Sequence, residues 1–162
     1  SYSVTGVQTC ALPIYRLEPP VRRTMQLASV IGRSFPLRVL ERIAERPAGV
    51  LDEHLKRLGQ ADLVRPTLTG EEAEYAFRHA LTRDAAYETI LLRQRRRYHR
   101  RVAEAMEALY ADRLGDEAPR LAYHFAEGRD WERAIRYYTQ AGEAAARLYA
   151  NSEAIEIGRA HV

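Results

Sequence analysis

Cysteine is nearly missing from this chain: Cys10 is the only one in 162 residues. An internal disulfide and a multi-cysteine metal site are thereby excluded, and a reducing, cytoplasmic setting is expected. Lysine is as scarce, with Lys56 alone and flanked by Leu55 and Arg57. A P-loop needs Gly and Lys side by side ahead of Ser or Thr, so that amides and ammonium together cradle a phosphate. No such run exists here, and GxGxxG, GxSxG and HExxH are missing too. These residues are therefore expected to hold no catalytic group, no cofactor and no metal. No apolar run approaches the roughly 18 residues a membrane helix needs, so a membrane is not an expected partner. An excess of one charge is also lacking. Lys and Arg total 25 against 22 Asp and Glu, a formal net charge of +3, which is not the balance of a bulk nucleic-acid binder.

The two ends stand apart from the rest. Val4–Ile14 reads VTGVQTCALPI and Ile157–Val162 reads IGRAHV. One double-stranded DNA element, read in opposite directions, encodes both VQTCALPI and IGRAHV, and that element resembles a short-read sequencing adapter. No Lys or Arg precedes Arg16, so the positive start of a signal peptide is missing. Residues 1–14 and 157–162 are expected to be adapter-derived, and residues 1–14 to pack poorly against the rest. The stretch between them is long enough for one ordinary domain or two small ones.

The pattern within 15–156 is mostly helical. Pro19 and Pro20 suit a helix first turn. Met25, Ala28 and Ile31 share a face, and Gly32 ends the run. Ser34-Phe35-Pro36 restarts a helix carrying Leu40, Ile43 and Ala44, and a third presents Leu51, His54, Leu55 and Leu58. Leu63–Thr67 and Glu74–Arg78 are short β-prone runs, with turn chemistry in Thr69-Gly70-Glu71. Pro66 lacks a ladder donor and places its run at a sheet edge. Thr82 is expected to cap a helix containing Ala85, Ala86, Ile90 and Leu91. A long helix over Arg93 to Asp112 buries His99, Val102, Ala103, Met106 and Tyr110, and Gly115 and Pro119 are expected to break it. Leu121, Ala122 and Phe125 mark a short helix. Asp130 caps another, with Trp131, Ala134, Ile135, Tyr138, Ala145, Leu148 and Tyr149 facing inward and Trp131 buried against Leu121 and Phe125. Asn151-Ser152 caps a last helix. The expected fold is mainly α: a winged helix with a small β-hairpin over 15–91, then antiparallel helical hairpins over 92–156.

Four segments carry a family resemblance: LASVIGRSFPLRVL from Leu27, YAFRHALTRDAAYETIL from Tyr75, RRRYHRRVAEAME from Arg95 and LAYHFAEGRDWERAIRYYTQAGEAA from Leu121. From Leu27 to Ile155 the chain resembles the region after the nucleotide-binding domain in bacterial signalling ATPases of the STAND class. That class includes maltose-activator-type transcriptional regulators, and class III adenylate or guanylate cyclases fused to an ATPase and tetratricopeptide repeats. The resemblance implies a winged helix followed by the start of a tetratricopeptide-like solenoid. Glu153-Ala154-Ile155 echoes Arg133-Ala134-Ile135, although one full repeat and part of another is not an array. It also implies a function: non-catalytic signal transmission and scaffolding between an upstream nucleotide-binding domain and an effector-binding repeat region. The effector would be a protein or a small molecule, and ATP or ADP would belong to the parent protein. The alternatives are a DNA-binding winged helix of a transcriptional regulator and a non-catalytic part of a cyclase.

Candidate site residues are few. The resemblance implies that His79, with Arg78 as a weaker candidate, reaches the ADP β-phosphate of the upstream domain and holds its closed state. An imidazole suits that role, since it donates a hydrogen bond and gains charge near neutrality. Packing at a strand end is the plainer role for His79. The arginine run from Arg93 to Arg101 is either a solvated face or, through Arg95, Arg96 and Arg100, a phosphate-contacting stripe. Asp52 and Glu53 sit where the recognition helix would meet a duplex and would repel its backbone. His54, His99 and His124 lie on apolar stripes and are expected in the core. Tyr123, Phe125, Trp131, Tyr137 and Tyr138 either line a ligand groove or pack between helices, and packing is the expectation.

Overall fold

A computed structural model of the protein describes residues 14–67 and 72–160. The expectations for residues 1–13, for the turn at Thr69–Glu71 and for 161–162 lie outside those residues. Among the described residues the elements run α1 (Pro19–Ile31), β1 (Ser34–Pro36), α2 (Leu37–Ala44), α3 (Ala48–Gln60), β2 (Val64–Thr67), β3 (Glu74–Phe77), α4 (Ala80–Glu88), α5 (Leu92–Leu109), α6 (Leu114–Glu127) and α7 (Trp131–Ala160). The fold is mainly helical with one small antiparallel sheet, as expected.

α1 is the hub. Its two prolines occupy the first turn, where their missing N–H groups cost nothing. Val21, Met25, Leu27, Ala28, Val30 and Ile31 are all buried, so the helix has a wide apolar face that must be covered by several neighbours. It packs on α2, α3, α4 and α5. Gly32 then stops it.

The sheet has the order β1-β3-β2. Ser34-Phe35-Pro36 does not begin a helix, contrary to expectation. Proline disfavours the helical region for the residue before it, and Phe35 is placed opposite Tyr75 on β3. Its ring is wholly buried, 6.0 Å from Tyr75 and 5.6 Å from Phe77. Burying such a side chain contributes about 1.5–3 kcal/mol, which outweighs any local preference for helix. β2 does lie at the edge, with Pro66 opposite Tyr75.

α4 differs from expectation at both ends. It begins at Ala80 with His79 in extended conformation at the N-cap, and Thr82 lies buried inside the helix instead of capping it. It ends at Glu88, so Ile90 and Leu91 fall in the linker to α5, with Ile90 buried and Leu91 exposed. α5 buries the stripe read from the sequence: His99, Val102, Ala103 and Met106, with Tyr110 at its end.

α6 contains Gly115 and Pro119, which were expected as breaks. Pro119 forgoes one helical hydrogen bond early in the helix, and Asp116 and Glu117 in the first turn favour the positive end of its dipole. Asp130 caps α7 as read, its carboxylate accepting from the Arg133 amide at 3.3 Å. The inward face of α7 is the expected one only at Ala134. Trp131 is 59% exposed, Ile135 and Tyr138 are exposed as well, and Tyr137 faces the core beside Ala134 instead. Phe125 and Tyr137 stack at 5.8 Å with nearly parallel rings, and that pair sets the rotation of the helix. α7 then runs unbroken past Asn151-Ser152. Asn and Ser cost a helix only tenths of a kcal/mol each, and no described element packs there to enforce a turn.

A contiguous buried core extends from Ile14 to Tyr137. Ile14 is itself fully buried, and Arg22 donates to the carbonyls of Ile14, Tyr15 and Leu17. The expectation that residues 1–14 pack poorly is thus overturned at Ile14, because an apolar side chain beside an open core edge is buried whatever its origin.

Candidate functional site

The resemblance directs attention to the step from β3 to α4. Phe77 donates its amide to Arg33 and Arg78 its amide to Leu63, so the end of β3 is fixed on both sides. The His79 carbonyl then accepts from Thr82 and Arg83 and starts α4. No described side chain closes that cap. The His79 side chain is exposed on this rigid step. Arg78 is exposed as well, and its guanidinium pairs with Asp62 at 2.9 Å. Such an open pair is worth about 0–1 kcal/mol, little enough to be exchanged for another anion.

The opposite end of α4 holds groups that the sequence did not reveal. Tyr87 is clasped between two guanidinium groups, Arg83 at 4.7 Å and Arg95 at 4.6 Å from its ring centre. Its hydroxyl lies 2.8 Å from His99 Nε2. His99 Nδ1 lies 2.9 Å from His124 Nδ1, and His124 bonds the Ile31 carbonyl. One set of protons satisfies every link. Tyr87 donates to His99 Nε2, His99 donates from Nδ1 to His124 Nδ1, and His124 donates from Nε2 to Ile31. The relay ties α4, α5, α6 and the end of α1 together inside the core. Both rings are neutral there. Burial, then Arg83 and Arg95, lower the His99 pKa to about 4. Burial first, then His99 and Arg120, lower His124 as well.

The arginine run is mostly engaged within the fold. Arg95 donates to the carbonyls of Ile90 and Glu88 that end α4, at 2.8 and 2.9 Å. Arg100 donates to the Gly128 carbonyl at 3.0 Å. Gly128 approaches so closely that an added Cβ would lie 3.1 Å from the Arg100 amide nitrogen. Arg101 bonds the Ile43 carbonyl and the Glu45 carboxylate. Arg96 is half-buried with no ion pair to a described residue. On α3, Asp52 and Glu53 are exposed and paired with Lys56 and Arg57.

The structure brings His79 and Arg78 together at the end of β3, and places Arg95 at the far end of α4. His54, His99 and His124 are buried, as read from their stripes. His54 bonds Thr24 at 2.7 Å. Of the aromatic set, Phe125 and Tyr137 pack inside, and Tyr123, Trp131 and Tyr138 are exposed. No group of three or more His, Cys, Asp or Glu among the described residues could hold a metal ion. No described helix is long and apolar enough to cross a membrane. Compared with protein-family models and with curated proteins, the chain matches none.

Proposed function

We propose that this chain is a signal-transmission and scaffolding piece of a multidomain signalling ATPase of the STAND class. In this reading the helices and sheet of 15–91 are a winged helix, and α5 to α7 begin a tetratricopeptide-like solenoid. An upstream domain of the same protein binds ATP or ADP, the repeats receive a protein or small-molecule effector, and the setting is cytoplasmic. No chemistry is performed by these residues.

One observation carries the reading: α4 is a short rigid helix with an exposed histidine at one end and, at the other, a half-buried tyrosine tied to two buried histidines. His79 stands at an open N-cap, where helix amides and an imidazole together favour an approaching phosphate. Tyr87, one helix length away, is tied through His99 and His124 to the helical hairpin. A tilt of α4 on loss of a diphosphate contact therefore changes the packing of α5 and α6. Because a ligand shifts such an equilibrium only by its differential affinity for the two states, the effector must favour one arrangement of the hairpin.

The alternative reading as a duplex-binding winged helix has less support. Arg95 and Arg100 are spent on backbone carbonyls, and α3 presents Asp52 and Glu53 outward. Nothing in the site favours a cyclase over another output. The uninterrupted coding sequence tests the proposal: a P-loop upstream of Tyr15 is expected, and an upstream region without one would remove its basis.

A further inference from the structure

A second feature lies away from α4. α2 stops at Ala44, and Glu45 takes a left-handed conformation, φ 51° and ψ 40°, which non-glycine residues seldom adopt. The turn sets Arg46 in the wall of a cleft of about 300 Å³. Arg23 from α1 and Arg101 and Tyr98 from α5 line the same cleft, and Ala44 and Pro47 supply apolar surface beside that ring. Three arginines against one carboxylate, Glu45, leave the lining at +2.

The three guanidinium groups differ in state. Arg101 is fixed by the Ile43 carbonyl at 2.6 Å and by Glu45 at 2.7 Å. Its bond to Ile43 also occupies a carbonyl at the negative end of α2, which would otherwise oppose an anion. Arg23 and Arg46 form no ion pair with a described residue. Arg133, by contrast, is matched by Asp130, Glu104 and Glu107. In this concave site two lack a carboxylate partner among the described residues.

We propose that this cleft binds the phosphoryl group of a small organic ligand. Planar guanidinium groups converging from several elements suit a tetrahedral oxyanion, each offering two parallel N–H groups. The volume is at the lower end for ligand sites, which fits a phosphorylated small molecule and not a whole nucleotide. Pro47, with Ala44 and the ring of Tyr98, gives the organic body a surface to cover. The site does not depend on the role of His79.

Calorimetric titration of the 162-residue chain tests the assignment, with inorganic phosphate and phenyl phosphate as probes. Saturable one-site binding is expected, tighter for phenyl phosphate because of the apolar lining. The Arg23→Gln/Arg46→Gln variant should weaken it by about tenfold or more, with an unchanged melting temperature, since both side chains are exposed and form no ion pair with a described residue. The Arg93→Gln/Arg97→Gln variant removes the same charge from exposed positions outside the cleft and should bind as the parent does. Equal loss in both variants would reduce the effect to general electrostatics and overturn the site. So would a failure to saturate by about 10 mM, an affinity weaker than any useful site. Equal affinity for the two probes would overturn the organic ligand.

Discussion

His99 and His124 are buried side by side without a carboxylate to charge them, and that arrangement makes the fold sensitive to acid. Both pKa values are depressed, so as pH falls the unfolded chain takes up protons before the folded one. Stability is therefore complete above the ordinary histidine value and declines as pH drops toward about 4, the value of His99. His54, lowered by burial and by Arg46 and Arg57, adds in the same direction. From His99 alone the loss by pH 5 should be about 2 kcal/mol, at roughly 1.4 kcal/mol per unit below its unfolded value. Urea unfolding at several pH values reads this directly, and a flat profile between pH 7 and 5 would contradict the buried neutral pair. Tyr87→Phe should cost about 1–3 kcal/mol at neutral pH, because it leaves a buried acceptor on His99 unmatched. The sequence showed that these histidines are in the core, since each sits on an apolar stripe. It did not show that they meet, because residues 99 and 124 are brought together only by the packing of α5 on α6. Trp131 departs from expectation for a related reason. Its spacing suits either side of the helix, and the choice is made by Phe125 stacking on Tyr137. Phe125→Ala should cost about 3–5 kcal/mol and Trp131→Ala under about 1 kcal/mol, in thermal or urea unfolding.

At the scale of elements, helices with strong apolar stripes were readable and short connecting pieces were not. The stripe of α5 was read correctly because five buried positions repeat at helical spacing. β1 was missed because three residues carry no period, and only pairing with β3 makes Phe35 part of a strand. Propensity places the cap of α4 at Thr82, yet the preceding strand dictates where the helix begins. α5 shows how a charge run can mislead. Its arginines look like a phosphate stripe in sequence, whereas Arg95, Arg100 and Arg101 each reach back to a carbonyl on a neighbouring element. Arg95→Gln should therefore destabilise the fold by about 1–3 kcal/mol, the worth of charged hydrogen bonds to the end of α4. A triple change of Arg95, Arg96 and Arg100 to Gln should leave binding to duplex DNA weak and unaltered at physiological salt. Submicromolar duplex binding abolished by that change would favour the nucleic-acid reading instead. Gly128→Ala belongs here too: a Cβ would press on the backbone of Arg100 and push α5 from the α6–α7 turn.

For the whole molecule, the sheet, α4 and the hairpin share a contiguous core, so a displacement at one end is felt at the other. The expected boundary near residue 91 falls in a linker whose Ile90 is buried and whose carbonyl holds Arg95. α7 continues as one helix across the expected boundary at 156. The proposed contact at His79 is legible only through resemblance, since a lone exposed histidine has no signature of its own, and the proposal joins it to the relay at the other end of α4. The most direct measurement is the rate of ADP release from the parent protein with and without His79→Ala, together with its basal output. Faster release and raised output without effector are expected, by an amount corresponding to one charge-assisted hydrogen bond of about 1.5–3 kcal/mol. Unchanged ADP retention accompanied only by lower stability would make His79 a packing residue and contradict the transmission role of α4.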